Sequence, residues 1–163
     1  MKLFLIRHTE AIDYETESVR TDESRFITPN GRRISLSVFK TLRDDLSDLE
    51  KIFTSPLIRA VQTAEILASS LKYKNDVEIA NELSPNSDHD KLIKLIKRNA
   101  IFKSIALVGH EPMLGKLALE ITKIETLPFE FKKNGVCYID YNTETGQGQL
   151  KWYFDPKSLE KIS

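Results

Sequence analysis

The chain of 163 residues has one cysteine, Cys137. A lone thiol forms no internal disulfide and builds no Cys-based metal cluster. Its neighbours Val136, Tyr138 and Ile139 are residues of a buried strand, so the expectation is an inert core thiol. An excess of charge of one sign is also missing: 24 Lys and Arg balance 24 Asp and Glu. That balance gives no electrostatic footprint for a polyanion, and nucleic acid is not an expected partner. Long hydrophobic runs are absent too. No stretch approaches the roughly 18 apolar residues of a membrane span. The apolar start of the chain ends at Arg7, too early for a secretory signal. The expected location is the reducing cytoplasm, away from membranes. Internal repeats, low-complexity stretches and linkers are lacking as well. With 40% hydrophobic and 29% charged residues, residues 1–163 are expected to form a single domain around one core, as a monomer.

What is present is an alternation of strand-like and helix-like segments. Residues 3–6 read as a first strand, followed by a polar, turn-rich stretch over 7–27 with an acidic run at 13–17. A connection of that length points to a functional loop. Thr28-Pro29 opens a helix, with Thr as N-cap and Pro at the first helical position. Ile34, Val38 and Leu42 then mark its apolar face. Residues 51–54 read as a second strand, and Ser55-Pro56 is expected to open the next helix by the same device. Residues 77–80 are a third strand candidate. Asp88 caps a helix carrying Leu92, Ile93, Leu95 and Ile96, and residues 104–108 form a continuous apolar run suited to a central strand. Met113, Leu114, Leu117, Ala118 and Ile121 mark a last helix. Residues 136–141 and 150–154 read as an antiparallel hairpin with turn material between them. The alternation predicts an α/β fold: a three-layer α/β/α sandwich with a mainly parallel central sheet and an antiparallel edge hairpin.

Four residues that follow candidate strands carry the chemistry: Arg7, His8, Arg59 and His110. In an open α/β sheet such positions converge on one crevice. Arg presents forked donors that match phosphate oxygens, and a helix starting near Pro56 adds its positive end. Histidine can serve as a covalent nucleophile if its attacking nitrogen is unprotonated. Two neighbouring guanidiniums disfavour the imidazolium, and they also stabilise negative charge on a transferring phosphoryl group. The scheme needs no metal, and His8, His89 and His110 lack zinc-ligand spacing. Each segment has a bland reading when taken alone: a solvated loop start for Arg7-His8, a surface residue for Arg59, a simple turn for Gly109-His110-Glu111-Pro112. It is their joint occurrence at strand ends that points to a site.

Arg7-His8-Thr9 resembles the first signature of the histidine phosphatase superfamily, which includes the phosphoglycerate mutases. The run Ser55-Pro56-Leu57-Ile58-Arg59-Ala60-Val61-Gln62-Thr63-Ala64 resembles its second motif, and Val108-Gly109-His110-Glu111-Pro112 its third. The short chain, Glu82-Leu83-Ser84-Pro85 and the Gly-His-Glu-Pro form are most similar to the SixA-type phosphohistidine phosphatase branch. The resemblance implies a phosphoglycerate mutase-like fold and a hydrolase without a cofactor. It implies His8 as the phosphorylated nucleophile, with Arg7, Arg59 and His110 holding the phosphoryl oxygens and Thr9 and Ser55 beside them. Glu82 falls where many members carry the acid that protonates the leaving group; a solvated loop carboxylate is the equal alternative.

Some positions depart from the pattern. Glu10-Ala11-Ile12-Asp13 differs from the corresponding mutase loop, and Asn134 stands where the branch often has Thr. Lys132 and Lys133 read as a solvated basic turn, with phosphate contact as the alternative, and His89 as a surface helix-start residue. The leading expectation is a phosphatase acting on protein phosphohistidine through an open site. The alternatives are a phosphatase of a small phosphorylated metabolite and a non-catalytic phosphate-binding docking module.

Overall fold

The computed structural model of the chain describes residues 1–13, 19 and 21–163. Among them, seven strands form one sheet in the order β3-β2-β4-β1-β5-β6-β7. These strands are β1 (Lys2–Arg7), β2 (Lys51–Thr54), β3 (Glu78–Ile79), β4 (Ser104–Gly109), β5 (Val136–Tyr141), β6 (Gly148–Asp155) and β7 (Glu160–Ile162). The first four pair in parallel, and β5, β6 and β7 add antiparallel strands beyond β1. The helices are α1 (Pro29–Thr41), α2 (Ile58–Leu71), α3 (His89–Arg98) and α4 (Met113–Thr122). This is the α/β sandwich expected, with a mostly parallel core and an antiparallel edge.

Alternation of side chains along the central strands builds the three layers. Phe4 and Ile6 of β1, with Ala106 and Val108 of β4, pack under Val38 and Phe39 of α1 and Ala60, Ala64 and Leu67 of α2. Leu3 and Leu5, with Ile105 and Leu107, point the other way, under α3 and α4. Both faces are covered, which is why β4 reads as an unbroken apolar run. Cys137 lies in the second of these cores, and burial raises its thiol pKa far above the usual range. No helix among the described residues is long and apolar enough to cross a membrane.

Helix starts follow local chemistry, with one correction. Thr28 caps α1 by accepting from Gly31 N–H, with Pro29 first in the helix, and Asp88 caps α3 by accepting from Asp90 N–H. The helix expected at Ser55-Pro56 begins later: α2 starts at Ile58, and its N-cap, Leu57, makes no side-chain bond. Ser55 instead accepts from Leu57 N–H, ahead of the helix, and its hydroxyl bonds His110 at 2.8 Å. Two other expectations change. The third strand shrinks to two exposed residues at the sheet edge. The C-terminal hairpin gains a third strand, β7, whose Glu160 and Lys161 place charge on the opposite edge, where it discourages further strand pairing. The acidic run expected at 13–17 lies, apart from Asp13, outside the described residues.

Candidate active site

Strand register sets the frame of the site. Arg7 pairs with Gly109 and Thr54 with Val108, so β1, β4 and β2 end nearly flush. The ladder runs one step further, with His8 N–H donating to Gly109 O at 3.0 Å and Ser55 N–H to Val108 O at 2.9 Å. His8, Ser55 and His110 therefore leave the same edge side by side. The chain crosses from β1 towards β2 over one face and from β4 towards β5 over the other, which opens a crevice between β1 and β4. On the far side, Asn134 N–H bonds to the carbonyls of Arg7 and His8, and Gly135 O accepts from Arg7 N–H. Asn134 sits at φ 66°, a left-handed backbone that Asn tolerates better than most residues. Gly135 is needed because a Cβ there would lie 2.2 Å from the Tyr153 hydroxyl.

The imidazole of His8 is 7% exposed. Its Nδ1 lies 2.7 Å from Thr9 O. A carbonyl only accepts, so Nδ1 carries the proton and Nε2 carries the lone pair. Nε2 accepts from Arg59 Nε at 3.3 Å, and the His110 ring is 4.9 Å away between centroids. Burial, then His110, and then the Arg59 and Arg7 guanidiniums push the His8 pKa down to about 3 against the pull of the Thr9 bond. The guanidiniums thus act as expected, but burial is the larger cause. His110 is also lowered to about 3, by burial first and then Arg59. Both rings are neutral at pH 7.

Two site residues hold donors in reserve. Ser55 Oγ accepts from Leu57 N–H and bonds His110 Nε2. A hydroxyl that accepts from the amide is free to donate to the ring, which leaves the proton of His110 on Nδ1. Arg7 is anchored by Nη1 donating to Phe131 O at 2.7 Å. Among the described residues, His110 Nδ1 and Arg7 Nε are buried without a hydrogen-bond partner. Buried polar groups are nearly always paired, and an oxyanion would supply both missing acceptors.

The second motif proves to be a bracket. Besides Ser55 and Arg59, its Gln62 accepts from Ile27 N–H and holds the end of the long loop. Its Thr63 accepts from Thr9 N–H and donates to Arg59 O one helical turn back. Thr63 lies within the second motif, and its spacing of four from Arg59 is the sequence signal for this role. Asp22 was missed entirely. Its carboxylate accepts from Arg59 Nη2 at 2.8 Å and its carbonyl from Arg59 Nη1 at 2.7 Å. No periodicity marks a loop residue, so nothing in the sequence flagged it.

Other expected site residues have different partners. Thr9 is 1% exposed, and its hydroxyl donates to Gly31 O, which ties the site to α1. Glu82 forms an ion pair with Arg98 at 2.7 Å. Burial pushes the Glu82 pKa up, but its own backbone N–H and Arg98 together bring it below the usual value, so it is ionised at neutral pH. Lys132 pairs with Asp155 at 2.5 Å, and His89 with Glu120. Lys132 and Lys133 line a cleft of about 400 Å³ that also includes Arg7, Thr9, Ile34 and Lys157. Among the described residues no group of three or more His, Cys, Asp or Glu is placed to hold a metal ion.

The buried histidines predict a pH dependence of stability. Their folded pKa of about 3 lies below the ordinary imidazole value of 6.5. The unfolded chain therefore takes up protons first as pH falls, and stability drops from pH 6.5 towards 3. At 1.36 kcal/mol per pH unit, each ring costs about 2 kcal/mol between pH 6.5 and 5. Urea melts at pH 7 and pH 5 are expected to show this loss, and His110→Gln is expected to remove about half of it. Equal midpoints at the two pH values would contradict the burial argument.

Comparison with known proteins places this geometry. Residues 3–84 match the family model of the histidine phosphatase superfamily (branch 1). The chain is 28% identical to the phosphohistidine phosphatase SixA of Escherichia coli (strain K12), over 98% of this chain and 97% of that protein. A structure of the protein histidine phosphatase SixA complexed with tungstate superposes with a TM-score of 0.87 at 26% identity, covering 98% of this chain and all of the other. A phosphoserine phosphatase from Entamoeba histolytica, in complex with phosphoserine, shares the fold with a TM-score of 0.70 at 18% identity, over 98% and 99% of the two chains.

Proposed function

The chain belongs to the histidine phosphatase superfamily, and from that membership we propose that it is a metal-independent phosphatase whose His8 takes a phosphoryl group from protein phosphohistidine. The observation that carries this reading is the state of His8: a buried, neutral imidazole with its lone pair on Nε2, beside Arg59. A nucleophile at phosphorus needs that lone pair.

The steps follow from the groups present. The phosphoryl oxygens accept from Arg7 Nε and from His110 Nδ1, the donors with capacity to spare, and from Arg59, whose Nη groups exchange Asp22 for them. His8 Nε2 attacks phosphorus in line as the bond from phosphorus to the leaving nitrogen breaks. The leaving imidazole, already protonated on its other ring nitrogen, departs with that electron pair as a neutral ring. Water then attacks the phosphohistidine at His8, the P–N bond breaks, and inorganic phosphate leaves as Nε2 recovers its lone pair. Charge builds on the equatorial oxygens in both transfers, and fixed donors stabilise it without reorganising.

The choice of phosphohistidine rests on the leaving group. Glu82, one of whose two expected roles was the acid, is held ionised by its own backbone N–H and by Arg98 and has no proton to give at neutral pH. An alkyl phosphate needs such a proton; an imidazole leaving group does not. The SixA relative is named for the same substrate. The cleft beside Arg7 gives room for the surface of the phosphorylated protein.

The test is a substrate panel in the presence of chelator: a phosphohistidine protein, an aryl phosphate and phosphoserine. The kcat/KM for phosphohistidine is expected to exceed that for phosphoserine by about 100-fold, and Glu82→Gln to change phosphohistidine turnover by less than about threefold. Phosphoserine cleaved as well as phosphohistidine, or a loss of about 10²-fold or more on phosphohistidine in Glu82→Gln, would return Glu82 to the acid role and favour a small metabolite.

A further inference from the structure

Asp22 belongs to the turn at residues 21–25, outside every motif, yet it reaches the centre of the site. One carboxylate oxygen accepts from Arg59 Nη2 at 2.8 Å and the other from Arg25 Nη1 at 3.0 Å. A carboxylate shared by two guanidiniums occupies ground suited to a phosphoryl oxygen. Its charge also reaches His110, where it partly opposes the lowering of that pKa by Arg59 and Arg7. The Asp22 main-chain carbonyl also accepts from Arg59 Nη1 at 2.7 Å, so both Nη groups of Arg59 face this one residue. The two partners differ in freedom: the Arg59 side chain is 5% exposed, whereas that of Asp22 is 46% exposed. Arg59 is fixed, and Asp22 is able to leave.

We propose that the Asp22 carboxylate is the site's own competing anion, displaced from Arg59 by a phosphoryl group on a larger carrier and effective against free inorganic phosphate. The proposal rests on reading the crevice as a phosphoryl pocket and adds how that pocket selects its occupant. Two guanidiniums and the free Nδ1–H of His110 would bind phosphate, the reaction product, well enough to obstruct turnover. A resident carboxylate lowers the apparent affinity of every anion that must displace it, by the fraction of time the site is free. A phosphorylated protein has contacts outside the crevice to offset that displacement; free phosphate has none. The device discriminates by size of carrier without touching it.

Inorganic phosphate is the probe, with binding measured by calorimetry on the wild type, on Asp22→Asn and on Asp22→Ala. Both variants are expected to bind phosphate at least about tenfold more tightly, with matching stronger inhibition of aryl phosphate hydrolysis. In an Arg59→Ala background the Asp22→Ala change is expected to have no effect on phosphate binding. Unchanged or weaker binding in the single variants would overturn the proposal and make Asp22 a positioning residue that steadies Arg59. Absence of phosphate binding in the wild type and in both variants would instead remove the phosphoryl-pocket reading itself, and the proposal with it. Asp22→Asn keeps the shape of the side chain, so the comparison does not depend on the alanine variant folding.

Discussion

His8→Ala is expected to lower kcat for aryl phosphate on the order of 10⁴-fold or more, the scale on which removal of a nucleophile acts. Alanine removes the one nitrogen among the described residues that combines a free ring lone pair with an adjacent guanidinium donor. His110 does not replace it, because its Nε2 is engaged by the Ser55 hydroxyl and its proton is assigned to Nδ1. The cavity left by the ring is small and polar, so the protein is expected to remain folded, and circular dichroism checks this. Mixing wild type with labelled phosphodonor and quenching in alkali, where phosphohistidine survives, is expected to trap label on the protein. The His8→Ala protein is expected to trap none. Label retained after the substitution, or turnover within about tenfold of wild type, would sink the covalent route.

Arg59→Ala is expected to cost on the order of 10² to 10³-fold in kcat, as loss of an oxyanion-stabilising donor does. Arg59 Nε approaches the nitrogen of His8 that would carry the phosphoryl group, so its bond to the oxygens strengthens as charge develops. The loss should therefore fall on kcat more than on KM. Arg59→Lys is expected to restore little, because an ammonium cannot reproduce the planar fork. A variant that raised KM alone would show Arg59 to be a binding group only. Removal of Arg59 also frees Asp22, so part of any change in phosphate affinity belongs to that carboxylate. The double variant with Asp22→Ala separates the two contributions.

Much of the fold was legible because its signals are local. The Thr28-Pro29 cap, the Asp88 cap and the apolar stripes of α3 and α4 depend on neighbours within a few positions. The strand at residues 51–54 and the strand at 136–141 were readable from composition alone. Ser55-Pro56 looked like the same capping device, but Ser55 Oγ accepts from Leu57 N–H, ahead of α2, while its hydroxyl reaches His110, far along the chain. The third edge strand, β7, was missed because it is short and exposed, so no hydrophobic alternation marks it. Glu82 is readable as an acid in the sequence, but the fold pairs it with Arg98; that pairing joins the short 3₁₀ turn at Asn81–Leu83 to the end of α3, and no spacing rule announces it. Lys132 and Lys133 were read together, yet the fold separates their roles by placing Asp155 against only one of them.

The sequence by itself determined the α/β order of elements and the three motifs, and it marked Arg7, His8, Arg59 and His110 as candidates, since each sits at the end of a recognisable strand or in the first turn of a recognisable helix. Only the tertiary structure decided which nitrogen of His8 carries the lone pair, that burial rather than neighbouring charge is the main cause of its neutrality, and that Asp22 already occupies Arg59. The physical reason is the same in each case. Tautomer, desolvation and ion pairing depend on the atoms that surround a group in space, and here those atoms come from loops and strand ends brought together by the register of β1, β4 and β2.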